Sequence, residues 1–216
     1  PGLSVAGPRA RELMQKLTHR DLSNEGFPFL SFAKLDIGMI PALVGRVSFT
    51  GELGYEIWVR PEYQRALHAL LLEAGEPLGL TQFGMRALLC LRLEKSFGTW
   101  FREYRPIYGA YEAGLGRFVD LKRGGFVGEA AARAEKADGG KLRLSTFAVE
   151  ATDADAIGDE PIWRDGKVIG WVTSGGYGHT VGQSLAMGYI EKAHAEATDG
   201  FEIEIIGERR PAKRLA

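Results

Sequence analysis

A single cysteine, Cys90, stands in 216 residues. No intrachain disulfide can form, so a disulfide-stapled secreted scaffold is excluded, and a reducing compartment, the cytoplasm or the mitochondrial matrix of a eukaryote, is expected. Histidine is almost as scarce. His19, His68, His179 and His194 fall at none of the spacings by which side chains share a metal, and neither H-E-x-x-H nor C-x-x-C occurs, so no metal is expected. No apolar run approaches the length that spans a bilayer. The N-terminus, Pro1-Gly-Leu-Ser, has neither a charged lead nor a signal-peptide core. No excess of one charge exists either: 27 Lys and Arg against 28 Asp and Glu leave a net charge of −1. Neither a nucleic acid nor a membrane is therefore expected as a partner. With no G-x-G-x-x-G and no P-loop, a flavin or nicotinamide site within these residues is not expected.

What is present reads as an ordinary globular chain, 45% hydrophobic and 25% charged. Leu3 to Ala6 reads as a strand. Ala10, Leu13, Met14 and Leu17 follow with helical spacing. Phe29 to Asp36, Ala42 to Phe49 and Tyr55 to Val59 read as strands. Pro61 opens a second helix with Leu67, Leu70, Leu71 and Ala74 on one face. The stretch from Gln82 to Lys95 reads as a third helix, apolar nearly all round and therefore expected to be buried. Ser96 to Gly125 is rich in glycine and aromatics, long for a mere connection. An alanine-rich helix, Gly128 to Ala137, leads to Asp138-Gly-Gly140, where the texture changes. Beyond it, alternating segments and the Asp165-Gly166 hairpin signal predict a small all-β barrel. The expected fold class is α+β: helices packed on a mostly antiparallel sheet over residues 1–137, followed by a small C-terminal β-barrel domain over 141–216.

The stretch richest in chemistry is Ser48-Phe-Thr-Gly-Glu-Leu-Gly-Tyr-Glu56. Two glycines bracket a tight turn that enters a strand. Strand alternation puts Tyr55, Ile57 and Val59 on one face and Glu56 beside Trp58 on the other. A carboxylate there can accept two parallel N–H bonds from a flat, amidine-like edge. Local pattern alone leaves a solvated surface glutamate as the ordinary alternative. Arg86, beside Met85, Ala87 and Leu88, must be paired or open onto a cleft. Trp100 and Tyr104 offer ring walls, with core packing as the alternative. His179 sits in the glycine-rich stretch Gly175-Gly-Tyr-Gly-His, read as a turn, and Cys90 reads as a small buried residue.

The wording of that stretch resembles the Y-T-G-E-x-G-[FYW]-E signature of the glycine-cleavage T-protein family of tetrahydrofolate-dependent aminomethyltransferases. Further resemblances follow in order: Gly84-Met-Arg-Ala-Leu88 with Leu91-Arg-Leu-Glu-Lys95, Tyr111-Glu-Ala-Gly-Leu-Gly116, Phe126-Val-Gly-Glu-Ala130, Trp171 to His179, and Ala186-Met-Gly-Tyr-Ile190. Trp171 to Ser184 is more similar to the folate-binding parts of dimethylglycine and sarcosine dehydrogenases. The resemblance implies tetrahydrofolate as cofactor and an amine as one-carbon donor. It places Glu56 at the pterin-binding glutamate and Arg86 at the arginine that meets the polar tail. Phe49 replaces the family's tyrosine, keeping a flat wall without its hydroxyl, and Trp100 is a candidate ring wall. Arg92 and Glu94 match the motif as structural residues. The family's catalytic aspartate lies upstream of the segment matching Leu3, so no catalytic residue is assigned here. The chain is read as the C-terminal portion of a longer protein whose missing part is an N-terminal segment or a flavin domain, the only place for FAD. Two alternatives accompany the transferase reading: the folate-binding part of a flavin-dependent amine dehydrogenase, and a non-catalytic folate-binding module. The latter group carries K-G-C-Y-x-G-Q-E, whereas this chain has Lys122-Arg-Gly-Gly-Phe-Val-Gly-Glu129, with no cysteine.

Overall fold

The computed structural model describes residues 1–215; the last residue of the expected barrel, Ala216, lies outside them. By contacts the chain divides into two compact units, Pro1–Leu88 and Leu89–Ala216. The first is built on four antiparallel strands, β1 (Gly2–Ala6), β2 (Phe32–Ile37), β3 (Ile40–Gly45) and β4 (Gly54–Trp58), in spatial order β1-β4-β3-β2. Two helices, α1 (Ala10–Leu17) and α2 (Gln64–Gly75), the latter entered through a 3-10 turn opened by Pro61, supply apolar stripes to one sheet face. Leu13, Met14, Leu67 and Leu71 from the helices close over Val5, Ile37, Val44, Tyr55 and Ile57 from the strands. The period of 2 in β4 and the period of 3.6 in the helices thus meet in one core.

The helix α3 (Met85–Leu93) corrects the expectation of a buried third helix over Gln82 to Lys95. Only Arg92 and Leu93 are buried, and Met85 is 68% exposed. The helix is apolar on several sides, but only its last turn meets a packing surface, where Leu93 joins Leu185 and Met187.

The second unit carries a closed barrel. Its strands are β5 (Leu142–Val149), β6 (Pro161–Arg164), β7 (Lys167–Gly178), β8 (Gln183–Glu191), β9 (Phe201–Ile205) and β10 (Glu208–Arg214), in order β10-β5-β8-β7-β6-β9. Closure leaves no free sheet edge. Phe147, Val149, Ile162, Val172, Ala186, Ile190, Phe201 and Ile203 fill the interior. The helix α4 (Glu129–Asp138) precedes the barrel and ends on Gly139 in the left-handed region. The α+β class followed by a β-barrel is what the structure shows.

Two details differ from the sequence expectation. The strand β10, with its charged run Glu-Arg-Arg, was not foreseen; one side of it pairs with β9 and the other with β5, so main-chain bonding rather than composition makes it a strand. Gly175 to Gly178 belong to β7 rather than to a turn. A Cβ at Gly175 would lie 2.2 Å from the Ala156 carbonyl, so the glycine is needed for close approach of two backbones.

Candidate functional site

In the first unit the site is set by one turn and one strand. The Ser48 and Thr50 hydroxyls share a hydrogen bond of 2.8 Å, and the Glu52 N–H donates to Thr50 at 3.3 Å. A side chain at Gly54 would meet Ser48 Cβ at 2.6 Å and the Val5 carbonyl at 3.0 Å, so only glycine lets the turn close against β1. Phe49 is half-buried in this turn. The strand then alternates as expected: Tyr55 and Ile57 enter the core, and Glu56 and Trp58 face away from the helices.

Cross-strand register defines the rest of that face. Glu56 pairs with Ser4 on one side and Gly45 on the other; Gly45 pairs with Phe32. The next row is Gly2, Trp58, Leu43 and Lys34. Phe32 and Trp58 stack at 5.8 Å with planes 21° apart. Gly45 makes room for this, since a Cβ there would lie 2.4 Å from the Phe32 ring. Glu56 therefore stands between two small residues beside a pair of stacked aromatic rings. Its carboxylate has no hydrogen bond or ion pair among the described residues. Burial pushes its pKa above the usual carboxylate range, with no cation to offset the effect. A partly desolvated carboxylate without a partner is suited to accept N–H donors from a ligand.

Arg86 lies in the first turn of α3 and is exposed, because the helix expected to be buried around it is not. Phe49 and Glu56 share the turn and strand, and Arg86 belongs to the same unit. Trp100 belongs to the second unit. It is 77% exposed, so core packing does not account for it. Its ring meets Tyr104 edge-on at 5.7 Å. His179 is exposed beyond the end of β7, and Cys90 is half-buried rather than buried.

Sequence reasoning missed Glu103 and read Arg92, its buried partner, only as a structural motif residue. Glu103 is fully buried and Arg92 nearly so, with Nη1 and Oε2 3.6 Å apart. Glu103 accepts from the Thr99 N–H at 2.7 Å, the Thr99 hydroxyl at 3.0 Å and the Ser174 hydroxyl at 2.5 Å. Its own carbonyl accepts from the Tyr189 hydroxyl at 2.7 Å, and Arg92 donates to the Phe97 carbonyl at 2.9 Å. Burial opposes ionisation of Glu103, but the donors Ser174, Thr173 and Thr99, with the Arg92 charge, outweigh it and hold its pKa below the usual range. The one sequence signal for this network was Arg92, a motif arginine in an apolar stretch, for which a buried partner is required.

A sheet covered on one face by helices, an unpaired carboxylate beside stacked rings on its other face, and a following six-stranded barrel define an α+β scaffold with a barrel appended. The model of the GCVT N-terminal domain matches residues 1–123, and that of the glycine cleavage T-protein C-terminal barrel domain matches residues 143–216. The chain belongs to the glycine-cleavage T-protein family. It is 41% identical over 211 residues to human mitochondrial dimethylglycine dehydrogenase, covering 97% of this chain and 24% of that protein. It is 34% identical over 213 residues to an aminomethyltransferase of Caldanaerobacter subterraneus subsp. tengcongensis, covering 99% of this chain and 56% of that protein. The chain thus spans about a quarter of the dehydrogenase's length and just over half of the transferase's. In fold it is similar to the glycine cleavage system aminomethyltransferase T of Bartonella henselae, with a TM-score of 0.86 at 23% identity, over 100% of this chain and 58% of that one. Among the described residues no helix is long and apolar enough to cross a membrane.

Proposed function

We propose that this chain is part of a tetrahydrofolate-dependent aminomethyl (one-carbon) transferase. The observation that carries the reading is Glu56: a partly desolvated carboxylate with no partner among the described residues, at the motif position of the family's pterin-binding glutamate. These residues fit a pterin, because its edge presents adjacent N–H donors to an acceptor that the fold leaves unsatisfied. Glu56 would hold that edge. Phe49 would supply a flat wall without a hydroxyl, Arg86 a cation for the polar tail, and Trp100, on the second unit, an exposed indole for a flat ring. Tetrahydrofolate, when bound, supplies the ring nitrogens that accept a one-carbon unit from an amine. The chain's own contribution is orientation and exclusion of water around the pterin edge. The donor is an amine, and no nucleic acid or membrane enters the reaction.

Folate-binding residues 1–137 and barrel residues 141–216 are the functional domains of this reading. With no catalytic residue assigned in this reading, the 216-residue chain alone should show only background turnover with tetrahydrofolate and an aminomethyl donor; clear turnover would place the catalytic group within it. A second reading is favoured by the 41% identity to a dimethylglycine dehydrogenase over 97% of the chain. In it the same site receives the one-carbon unit released by an upstream flavin domain, which would hold the FAD. The cytoplasm, or the matrix in a eukaryote, suits either.

The test is calorimetric titration of tetrahydrofolate into the full-length reading frame, wild type and Glu56→Gln. Removing the charge from a desolvated hydrogen-bonded pair costs about 2–5 kcal/mol, so the variant should bind roughly 30-fold more weakly or worse. Equal affinities would return Glu56 to a surface residue and remove the site.

A further inference from the structure

We propose that Glu103 is a positioning residue for Trp100: its buried carboxylate clamps the Thr99–Tyr104 turn onto the barrel and fixes the direction in which the indole is displayed. At its surface the turn is held by one ion pair, Arg102 to Asp159 at 3.0 Å, between side chains 47% and 77% exposed. Trp100 and Phe101 at its apex are 77% and 88% exposed and bury almost nothing of their own. Its order comes from beneath. The Glu103 and Tyr104 N–H groups both donate to the Thr99 carbonyl, at 3.1 and 2.9 Å. The Glu103 carboxylate in return takes the Thr99 N–H and hydroxyl, so the residue before Trp100 is held from both ends. Ser174 on β7, Tyr189 on β8 and Arg92 on α3 anchor Glu103 to the second unit. Tyr104 closes the other side, accepting from the Gly98 N–H at 3.2 Å while its ring meets the Trp100 edge.

The barrel is shaped to receive this carboxylate. Pairing across β7 and β8 shifts register between Val172 and Ser174. Val172 lies opposite Gly188 in the interior, and in a regular strand Ser174 would point inward with it. The extra residue instead places Ser174 opposite Met187, which packs against Leu93 of α3 outside the barrel. A bulge that re-aims one hydroxyl at one carboxylate is a built feature. Fixing an exposed indole before a ligand arrives removes the ordering cost from binding; this consequence rests on the folate reading, whereas the clamp does not.

The experiment labels the 216-residue chain with 5-fluorotryptophan. Its four tryptophans give four fluorine resonances, and Trp100→Phe assigns one. In Glu103→Gln the Trp100 resonance should shift and change in width, and the Thr99 amide should exchange with solvent at least tenfold faster. The Trp163 and Trp171 resonances and the β8 amides should stay as in wild type. If Glu103→Gln fails to fold, Ser174→Ala removes one donor to the same carboxylate and should produce the same localised change to a smaller extent. An unchanged Trp100 resonance and Thr99 amide would overturn the proposal, as would an equal loss of protection throughout the barrel. Tetrahydrofolate titration of the full-length protein separates the two claims. Glu103→Gln and Trp100→Ala should weaken binding alike, by about tenfold. A wild type that does not bind would sink the folate reading and leave the clamp to stand or fall on the fluorine and exchange results.

Discussion

Replacing Arg92 by methionine isolates the cost of leaving Glu103 without its cation. Arg92 and Glu103 are 4% and 0% exposed in their side chains, so water cannot replace the lost partner. The variant also leaves the Phe97 carbonyl without the donor it has at 2.9 Å. Methionine retains the apolar contact with the Leu93 and Met187 side of the helix, so a cavity adds little. Breaking one side of a buried ion pair costs about 3–5 kcal/mol. Urea unfolding followed by tryptophan fluorescence at pH 7 should show a loss of that size. The pH dependence supplies the sharper test. In wild type the Glu103 pKa is lowered on folding, so its contribution is present above the unfolded value, about 4.3, and is lost as pH falls through the folded one. In Arg92→Met the hydrogen bonds from Ser174, Thr173 and Thr99 still oppose burial, but the Arg92 charge is gone and the folded pKa rises. The carboxylate then protonates in the folded state at a higher pH, and the penalty relative to wild type should shrink as pH falls from 7 toward 4. A loss below about 1 kcal/mol, or one that stays constant over that range, would show that the pair is solvated or redundant and would refute the reasoning.

Glu56→Gln should leave stability unchanged or raise it slightly at pH 7 while weakening tetrahydrofolate binding, because burial disfavours the carboxylate it replaces; a clear loss in thermal melting would make Glu56 a structural anchor. Tyr189→Phe removes the hydroxyl bonded to the Glu103 carbonyl at 2.7 Å. It should cost about 1 kcal/mol, seen as a lower urea midpoint with an unchanged slope. Gly54→Ala places a methyl 2.6 Å from Ser48 Cβ and 3.0 Å from the Val5 carbonyl. It should destabilise the first unit by about 1–3 kcal/mol, read from loss of amide protection in β1 and β4 with the barrel unaffected.

The alternation Tyr55-Glu-Ile-Trp-Val59 determined by itself which side chains enter the core and that Glu56 and Trp58 share the opposite face, because strand geometry has a period of 2 whatever surrounds it. Asp165-Gly166 likewise set a hairpin by local backbone preference, and the run of motifs fixed the family. Tertiary structure decided the rest. The partners of Glu56 across the sheet, Ser4 and Gly45, and the Phe32 ring stacked beside it follow from strand register, and register depends on residues distant in sequence. The exposure of α3 depends on what its apolar sides meet, and composition alone cannot report that. β10 is a strand because β5 and β9 flank it. Glu103 shows the limit most clearly. In sequence it is one acid among arginines and aromatics, Phe101-Arg-Glu-Tyr104. Its burial, its pairing with Arg92 and the bulge that turns Ser174 toward it bring together three chain segments, and only folding makes them neighbours.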